Sequence, residues 1–528
     1  MLKPFFLSIW IIISSSVQAQ HVDTISIEHS VDSLMEVSGK CIRNRDFENA
    51  LKFIDVAEKV AIDNFGKNSI SYGKCSLMRG KLHFYKNEYM DAEKWYLEHN
   101  SILAKVRGED NMDFAWSLFV LGQLYNAMGQ FVKAEQIYLK TKEIFGRIQG
   151  LHHTDYAIIL NELAIMYRNM GSYEMAEPLY LESKSIREKV FGKNHPDYAW
   201  SLNNLANLYN MMGVFEKAEP FYLEALSIWE KLVGKENSTY ASGMNNLASL
   251  YFQMRVYTKA ETLFLEACTL RGKLLGKNTP DYAGSLNNLG SLYMEMGSYE
   301  KAEPYYLEAK TIREKIYGKD HPEYANTLGN IGILYNRMKN YEKAESYFKE
   351  AKSIWEKEVG IHHPEYATSV FNLGIFYLEL DRLELAEPLL LQANAIREKS
   401  LGIENPDVSE SHRNLSKLFI LQDRITEALP ILEAVSGQNQ NQLLKATNYL
   451  SEYELSQFID TYQNQEDELG AYYYLCPLAT NCLHAGKLAM LAYDRALFYK
   501  GFLRMAAVRL KTLAESTTES KNIYNQLR

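Results

Sequence analysis

Histidines that recur at a fixed interval are the residues of this chain whose type and spacing most suggest chemistry. Four of them stand at multiples of forty-two residues from one another: His153, His195, His321 and His363. Imidazole is a common zinc ligand, at about 2 Å from the ion. In other copies, however, the same column holds residues that cap helices: Ser69, Asn111, Asn237, Thr279 and Asn405. Equivalent positions in stacked helices also lie about 8–10 Å apart, too far for shared ligation. The pattern therefore predicts helix caps and no metal site.

Cysteine chemistry is the second candidate. Cys476, Cys482 and His484 could supply a nucleophile and a base, but they lie in an apolar stretch that is predicted to be helical. The sequence contains no HExxH, no GxSxG and no GxGxxG after a strand, which are the patterns that carry metalloprotease, hydrolase and dinucleotide chemistry. We therefore predict that the chain is not an enzyme and that it uses no cofactor and no metal.

The elements that hold these residues repeat every forty-two residues. One column is alanine in ten successive copies: Ala50, Ala92, Ala134, Ala176, Ala218, Ala260, Ala302, Ala344, Ala386 and Ala428. A second column is glycine in nine: Gly66, Gly108, Gly150, Gly192, Gly234, Gly276, Gly318, Gly360 and Gly402. A fixed period of this length indicates stacked supersecondary units, each too small to bury its own apolar face.

Each unit is predicted to be a pair of helices. In residues 195–234 a first set of apolar residues follows the 3.6-residue period of an amphipathic helix, helix A: Tyr198, Leu202, Leu205, Ala206 and Tyr209. A second set defines helix B: Phe215, Ala218, Tyr222, Ala225, Leu226 and Trp229. Gly213 makes the turn between them. The glycine column should end helix B in the left-handed conformation that closes many helices.

The small and aromatic residues of this unit form a known motif: Leu202, Leu205, Ala206, Tyr209, Gly213, Phe215, Ala218 and Glu219. The motif resembles the tetratricopeptide repeat, and the long unit is similar to the repeats of kinesin light chains. The resemblance implies an all-α fold, a right-handed α-solenoid of about ten repeats over residues 28–437. Its degenerate first and last units are expected to act as caps.

The two ends of the chain lie outside the repeats. Residues 1–19 carry Lys3, an apolar stretch and a Val17-Gln18-Ala19 cleavage pattern, which predict a signal peptide and export to a bacterial periplasm or the medium. No membrane span is predicted in the later segments. The sequence does not decide whether the chain self-associates. A formal net charge of −9 disfavours nucleic acid as a partner. The expected partner is a protein or peptide.

Residues 438–528 are predicted to form a separate helical region, with helices near 446–462 and 469–514. The phrase at residues 492–501, AYDRALFYKG, is similar to a segment of bacterial secreted proteins that join such repeats to a caspase-like CHAT peptidase domain. We expect that domain to be absent from this chain. The resemblance implies an alternative function, as the regulatory or sensor part of a protease system.

The leading hypothesis is a non-enzymatic scaffold that holds a peptide or protein in a groove lined by the A helices. Two columns of amides are predicted to line it: Asn204, Asn246, Asn288, Asn330, Asn372 and Asn414, with Asn203, Asn245 and Asn287. The kinesin light chain resemblance implies that such asparagines contact the peptide backbone. Alternatively, they bond neighbouring helices and only fix the repeat spacing. Residues that vary between copies should set specificity, above all Arg168, Trp200 and Arg337.

Overall fold

Residues 24–446 are described by the computed structural model, and all regular secondary structure in that range is helical. We number the twenty helices in chain order: α1 Thr24–Arg43, α2 Phe47–Phe65, α3 Ile70–Tyr85, α4 Tyr89–Arg107, α5 Met112–Ala127, α6 Phe131–Ile148, α7 Thr154–Asn169, α8 Tyr173–Phe191, α9 Pro196–Met211, α10 Phe215–Val233, α11 Ser238–Gln253, α12 Tyr257–Leu275, α13 Pro280–Glu295, α14 Tyr299–Tyr317, α15 Pro322–Arg337, α16 Tyr341–Val359, α17 Pro364–Glu379, α18 Leu383–Leu401, α19 Pro406–Leu421 and α20 Ile425–Ala446. The odd-numbered helices are the A helices and the even-numbered ones the B helices. The predicted all-α repeat solenoid is confirmed.

The described chain forms two compact units. One comprises residues 24–128 and 132–150, and the other comprises residues 129–131 and 151–446. Within each unit an A helix packs against the B helix that follows it, and each B helix packs against the next A helix. Among the described helices, none is both long and apolar enough to cross a membrane.

Several predictions concern residues outside this range. The signal peptide of residues 1–19, the phrase at 492–501, and Cys476, Cys482 and His484 all lie there. Helix α20 continues past residue 437 to Ala446, so the chain is helical where the C-terminal region was expected to begin.

The starts of the A helices from α3 to α19 are capped as the sequence predicts. Nδ1 of His195 accepts a hydrogen bond from the backbone N–H of Asp197 over 3.2 Å. Nδ1 of each of the other three recurrent histidines also accepts a hydrogen bond from the backbone N–H two residues later. These histidines are His153, His321 and His363. An accepting Nδ1 carries its lone pair towards the backbone, so the neutral ring holds its proton on Nε2. The capping role is confirmed.

The glycines that end the B helices differ from the expected geometry. Gly192 has φ 80° and ψ 173°, and its N–H donates to the backbone carbonyl of Glu188. The positive φ agrees with the prediction, but ψ is extended and not the value of about +47° typical of the left-handed helical conformation. Glycine is essentially the only residue that adopts this combination without strain.

Small residues in the A helices let the B helices approach closely. A Cβ atom added at Gly290 would lie 2.8 Å from the ring of Tyr306, which is fully buried. The alanine column on the B helices is also fully buried, as Ala218 and Ala302 illustrate. These columns explain the recurrent Gly and Ala positions, because a larger side chain at either place would overlap its neighbour.

Within residues 151–446, two segments that are distant in sequence touch. Nδ2 of Asn405, at the start of α19, donates to the backbone carbonyl of Asn169 over 3.4 Å, although 236 residues separate them. A Cβ atom at Gly171 would lie 2.5 Å from Cδ of Pro406. The turn after α7 therefore packs directly against the beginning of α19.

A buried histidine in α4 makes stability depend on pH. His99 is 7% exposed, and burial, with a smaller contribution from Lys81, lowers its pKa from 6.5 to about 4. The unfolded chain takes up a proton near pH 6.5, whereas the folded chain resists it until about pH 4. Stability should therefore fall as the pH drops through this window, by about 3 kcal/mol in total.

Urea titrations between pH 7 and pH 4 test this prediction. The variant His99→Phe should lose this part of the pH dependence. His195→Asn is the matched control, because asparagine caps the equivalent helix at Asn237. An equal effect of both substitutions on the pH profile would contradict the assignment to His99.

Candidate functional site

The predicted amide columns form one hydrogen-bonded structure. Each bond runs from Nδ2 of an asparagine on one A helix to Oδ1 of an asparagine on the preceding A helix. The donor–acceptor pairs are Asn204–Asn161, Asn246–Asn203, Asn288–Asn245 and Asn330–Asn287, at 2.8, 2.9, 2.9 and 3.1 Å. We call these eight residues the amide ladder, with four donor asparagines and four acceptor asparagines. The ladder ties five successive A helices, α7 to α15, to one another.

The ladder uses only part of each amide. The donor asparagines are partly exposed, whereas the acceptor Asn203 is 2% exposed. Within the part of the chain that the structure describes, no group donates to Oδ1 of Asn246, Asn288 or Asn330. An amide oxygen has two lone pairs available for acceptance. The hydrogen bonds between neighbouring A helices are thus observed, and they leave acceptor capacity unused on the carbonyl oxygens of these donor asparagines.

Two asparagines of the predicted column do not join the ladder. Nδ2 of Asn414 donates to the backbone carbonyl of Glu410 in its own helix, over 3.0 Å. Asn372 stands forty-three residues after Gly329. Four preceding copies have an acceptor asparagine at the position of Gly329, whereas this copy has no side chain there. The six residues of the column are equivalent in the sequence repeat, but among the described residues only four of them donate to an asparagine of the preceding A helix.

The predicted specificity residues occupy different surroundings. Trp200 is 37% exposed, and its other face packs edge-on against Trp229, with ring centroids 5.0 Å apart. Arg168 lies in the last turn of α7 and donates to Oδ1 of Asn169 over 3.3 Å. Arg337 ends α15 and is exposed. Trp200 and Arg337 therefore present free surface, while Arg168 is half-buried.

The repeat geometry agrees with a sequence model of the tetratricopeptide repeat. That model matches residues 155–231, 203–273, 281–357, 330–399 and 365–436, which together cover more than half of the chain. The chain belongs to the tetratricopeptide repeat family. Among curated protein sequences, none matches it significantly.

The chain also matches several solved structures. The chain is 22% identical to BtubC (BKLC) from P. vanneervenii, over 44% of this chain and 92% of that one, with a TM-score of 0.36. It is 20% identical to the nearly identical TPR-like repeats of a Podosopora anserina kinesin light chain, over 39% and 97%, with a TM-score of 0.33. A Rap protein complexed with Competence and Sporulation Factor is 15% identical over 71% and 99%, with a TM-score of 0.45.

One recurrent contact of this tetratricopeptide solenoid was missed by sequence reasoning. Nη1 of Arg271 donates to Oγ of Ser285 over 2.7 Å and to the backbone carbonyl of Asp281 over 3.2 Å, which joins helix B to the next helix A. We call this contact the arginine clamp. Three other arginine–hydroxyl pairs repeat it: Arg187–Ser201, Arg313–Thr327 and Arg397–Ser411. Its sequence signal is an arginine followed fourteen residues later by serine or threonine.

In two copies between the clamp arginines, tryptophan stands in the arginine position. Trp229 and Trp355 occupy the same column as the clamp arginines. At the first of these copies the hydroxyl position is Gly243, where a Cβ atom would lie 2.6 Å from the Trp229 ring. Trp229 and Gly243 are therefore matched in size in this copy, whereas Trp355 is followed fourteen residues later by Ser369.

A hollow of about 400 Å³ lies in the compact unit that contains residues 24–128, between α1, α3 and α5. Aromatic and aliphatic side chains line it together with Arg43 and Lys81. Burial lowers the pKa of Lys81, and the nearby Arg43 lowers it further. The hollow combines apolar walls with two cations.

One group of residues could be considered for a metal ion in the described range. Ligand atoms of His83, Glu88 and Asp91 lie within 4.8 Å of one another. However, both carboxylate oxygens of Glu88 already have partners, Nδ1 of His83 at 2.6 Å and Nζ of Lys86 at 2.5 Å. The group is explained as an ion-pair cluster at the turn between α3 and α4.

Proposed function

We propose that this tetratricopeptide repeat protein is a non-enzymatic scaffold that holds an extended peptide or protein segment along the amide ladder. The observation that carries the proposal is the row of donor asparagines, each with a carbonyl oxygen that the ladder leaves unused. Backbone N–H groups of an extended peptide are donors whatever its sequence. A row of amide oxygens can therefore hold main chain without specifying side chains.

The spacing supports this arrangement. Neighbouring helices pack about 8–10 Å apart, and an extended chain rises about 3.3 Å per residue. One repeat therefore corresponds to about three residues of peptide, so equivalent peptide N–H groups could meet successive asparagines. Exposed residues beside the ladder, such as Trp200, would then contact the side chains of the peptide and add selectivity.

A matched pair of variants separates binding from repeat spacing. The donor variant carries Asn246, Asn288 and Asn330 replaced by Ala, and the acceptor variant carries Asn203, Asn245 and Asn287 replaced by Ala. Both lose the same three ladder bonds, but only the donor variant loses the free oxygens. Affinity is measured by isothermal titration with a peptide that the full chain selects from a phage-displayed random dodecapeptide library.

We expect the donor variant to bind at least tenfold more weakly than the wild type, because each lost hydrogen bond contributes about 1 kcal/mol. The acceptor variant should stay within about threefold of the wild type. Equal weakening of both variants would leave the ladder with a structural role only. Failure of the wild-type chain to select any peptide would remove the proposal.

We also propose that the protein is exported and, as an alternative function, that it acts in a protease system. The first rests on the pattern of residues 1–19 and the second on the phrase at residues 492–501. Under the second reading, the scaffold would present its ligand to a caspase-like peptidase on another polypeptide. Co-purification of such a peptidase from the source cells would support this reading, and its absence from the complexes would favour the free scaffold.

A further inference from the structure

The amide ladder ends at Asn330, and a cleft opens at the step that would come next. After the Asn330–Asn287 bond, the next ladder bond would join Asn372 on α17 to the residue at position 329 on α15. That residue is glycine. A Cβ atom built at Gly329 meets nothing within 4 Å, so the missing side chain leaves open space. The cleft has a volume of about 110 Å³. We call this cleft the ladder gap.

The walls of the ladder gap are polar and its base is aromatic. The Glu365 carboxylate and the Trp355 ring line it. So do the amides of three asparagines, Asn326, Asn330 and Asn372. Trp355 is 6% exposed and lies below the gap on α16. The lining therefore offers several hydrogen-bond acceptors around a carboxylate, over an aromatic surface.

The charge of the ladder gap is negative. In the described residues, the Glu365 carboxylate forms no salt bridge. Arg397 acts on it through space and lowers its pKa, but the guanidinium contacts Glu410 over 3.4 Å. Although Glu365 is exposed to solvent, the protein packed around it desolvates its carboxyl group and raises the pKa, and the neighbouring Asp407 raises it further. An approaching cation would stabilise the charged form of this carboxylate and offset the repulsion from Asp407.

We propose that the ladder gap binds a basic side chain, lysine or arginine, of the segment held by the ladder. The cation would lie against the Glu365 carboxylate and the free amide oxygens, and its methylene groups would pack on Trp355. A water molecule occupies about 30 Å³ of liquid, so the cleft has room for a head group and a short length of stem. This inference rests on the proposed function and adds a position-specific preference to it.

The chain itself supplies the variants for a test. Gly329→Asn inserts the residue that Asn161, Asn203, Asn245 and Asn287 provide in other copies, which closes the gap and extends the ladder. Glu365→Gln removes the charge and keeps the shape. Gly284→Asn is the matched control, since it adds the same side chain at another helical glycine with nothing within 4 Å of an added Cβ.

The full-length proteins are used to select from the same random dodecapeptide library. Peptides selected by the wild type and by Gly284→Asn should carry lysine or arginine at one fixed position. Replacing that residue by methionine should weaken binding at least tenfold. Both Gly329→Asn and Glu365→Gln should still bind peptides through the ladder but lose the basic preference.

Each other result has a defined meaning. If the wild type selected peptides whose binding requires the donor asparagines but which have no fixed basic position, that result would overturn the ladder gap assignment and keep the proposed function. Unchanged affinity of a selected basic peptide for Glu365→Gln would also overturn it. No selection by the wild-type chain, or binding that ignores the donor asparagines, would reject both.

Discussion

Replacing Trp229 by arginine is expected to lower the free energy of unfolding by about 3–5 kcal/mol. The indole is 1% exposed and packs against Trp200, so its removal leaves a cavity. The new guanidinium would also be buried without the hydroxyl that completes the arginine clamp elsewhere, because position 243 is glycine. Urea unfolding followed by far-ultraviolet circular dichroism measures the loss.

Restoring the missing hydroxyl should reverse much of this loss. Gly243→Ser alone is expected to cost about 1–3 kcal/mol, since its Cβ atom would lie 2.6 Å from Trp229. The double variant rebuilds the arrangement of Arg271 and Ser285, so its loss should be smaller than the sum of the two single losses by about 2 kcal/mol. Additive losses would show that the two positions are not coupled as the structure implies.

Breaking the amide ladder is expected to reduce stability as well as binding. The donor variant of Asn246, Asn288 and Asn330 loses three hydrogen bonds at about 1 kcal/mol each, or about 3 kcal/mol in total. The loss at Asn246 should be the largest of the three, because its acceptor, Asn203, is nearly inaccessible to water. Thermal and urea unfolding of the single and triple variants test this order.

Asn414→Ala is the internal control for that series. Its amide bonds only to the backbone of its own helix, so the substitution should change stability by less than about 0.5 kcal/mol. If the triple variant were as stable as this control, the ladder bonds would contribute nothing to the stacking of the A helices.

The features that sequence predicts well are those repeated within one unit. The capping column is an example, because a side chain that bonds two or three residues ahead depends only on local order, as His195 does. The fully buried alanine column is another. Both follow from the period and from residue type, and neither requires knowledge of how one repeat sits on the next.

The features that sequence misses depend on the offset between repeats. Asn203 and Asn204 are read as two separate columns of equivalent residues, yet the structure makes one an acceptor and the other a donor across forty-three residues, one more than the period. That offset comes from the way neighbouring A helices pack. For the same reason the significance of Gly329 is invisible until its ladder partner Asn372 is known.

The contact between Asn169 and Asn405 has a consequence for how this array can change its length. Modular arrays ordinarily tolerate duplication or loss of a whole module, because each one contacts only its neighbours. Here a module inserted or deleted between these two residues would carry Pro406 away from Gly171 and leave both faces uncovered. The contact therefore fixes the number of modules between these two residues. Modules can be added or removed only outside this stretch.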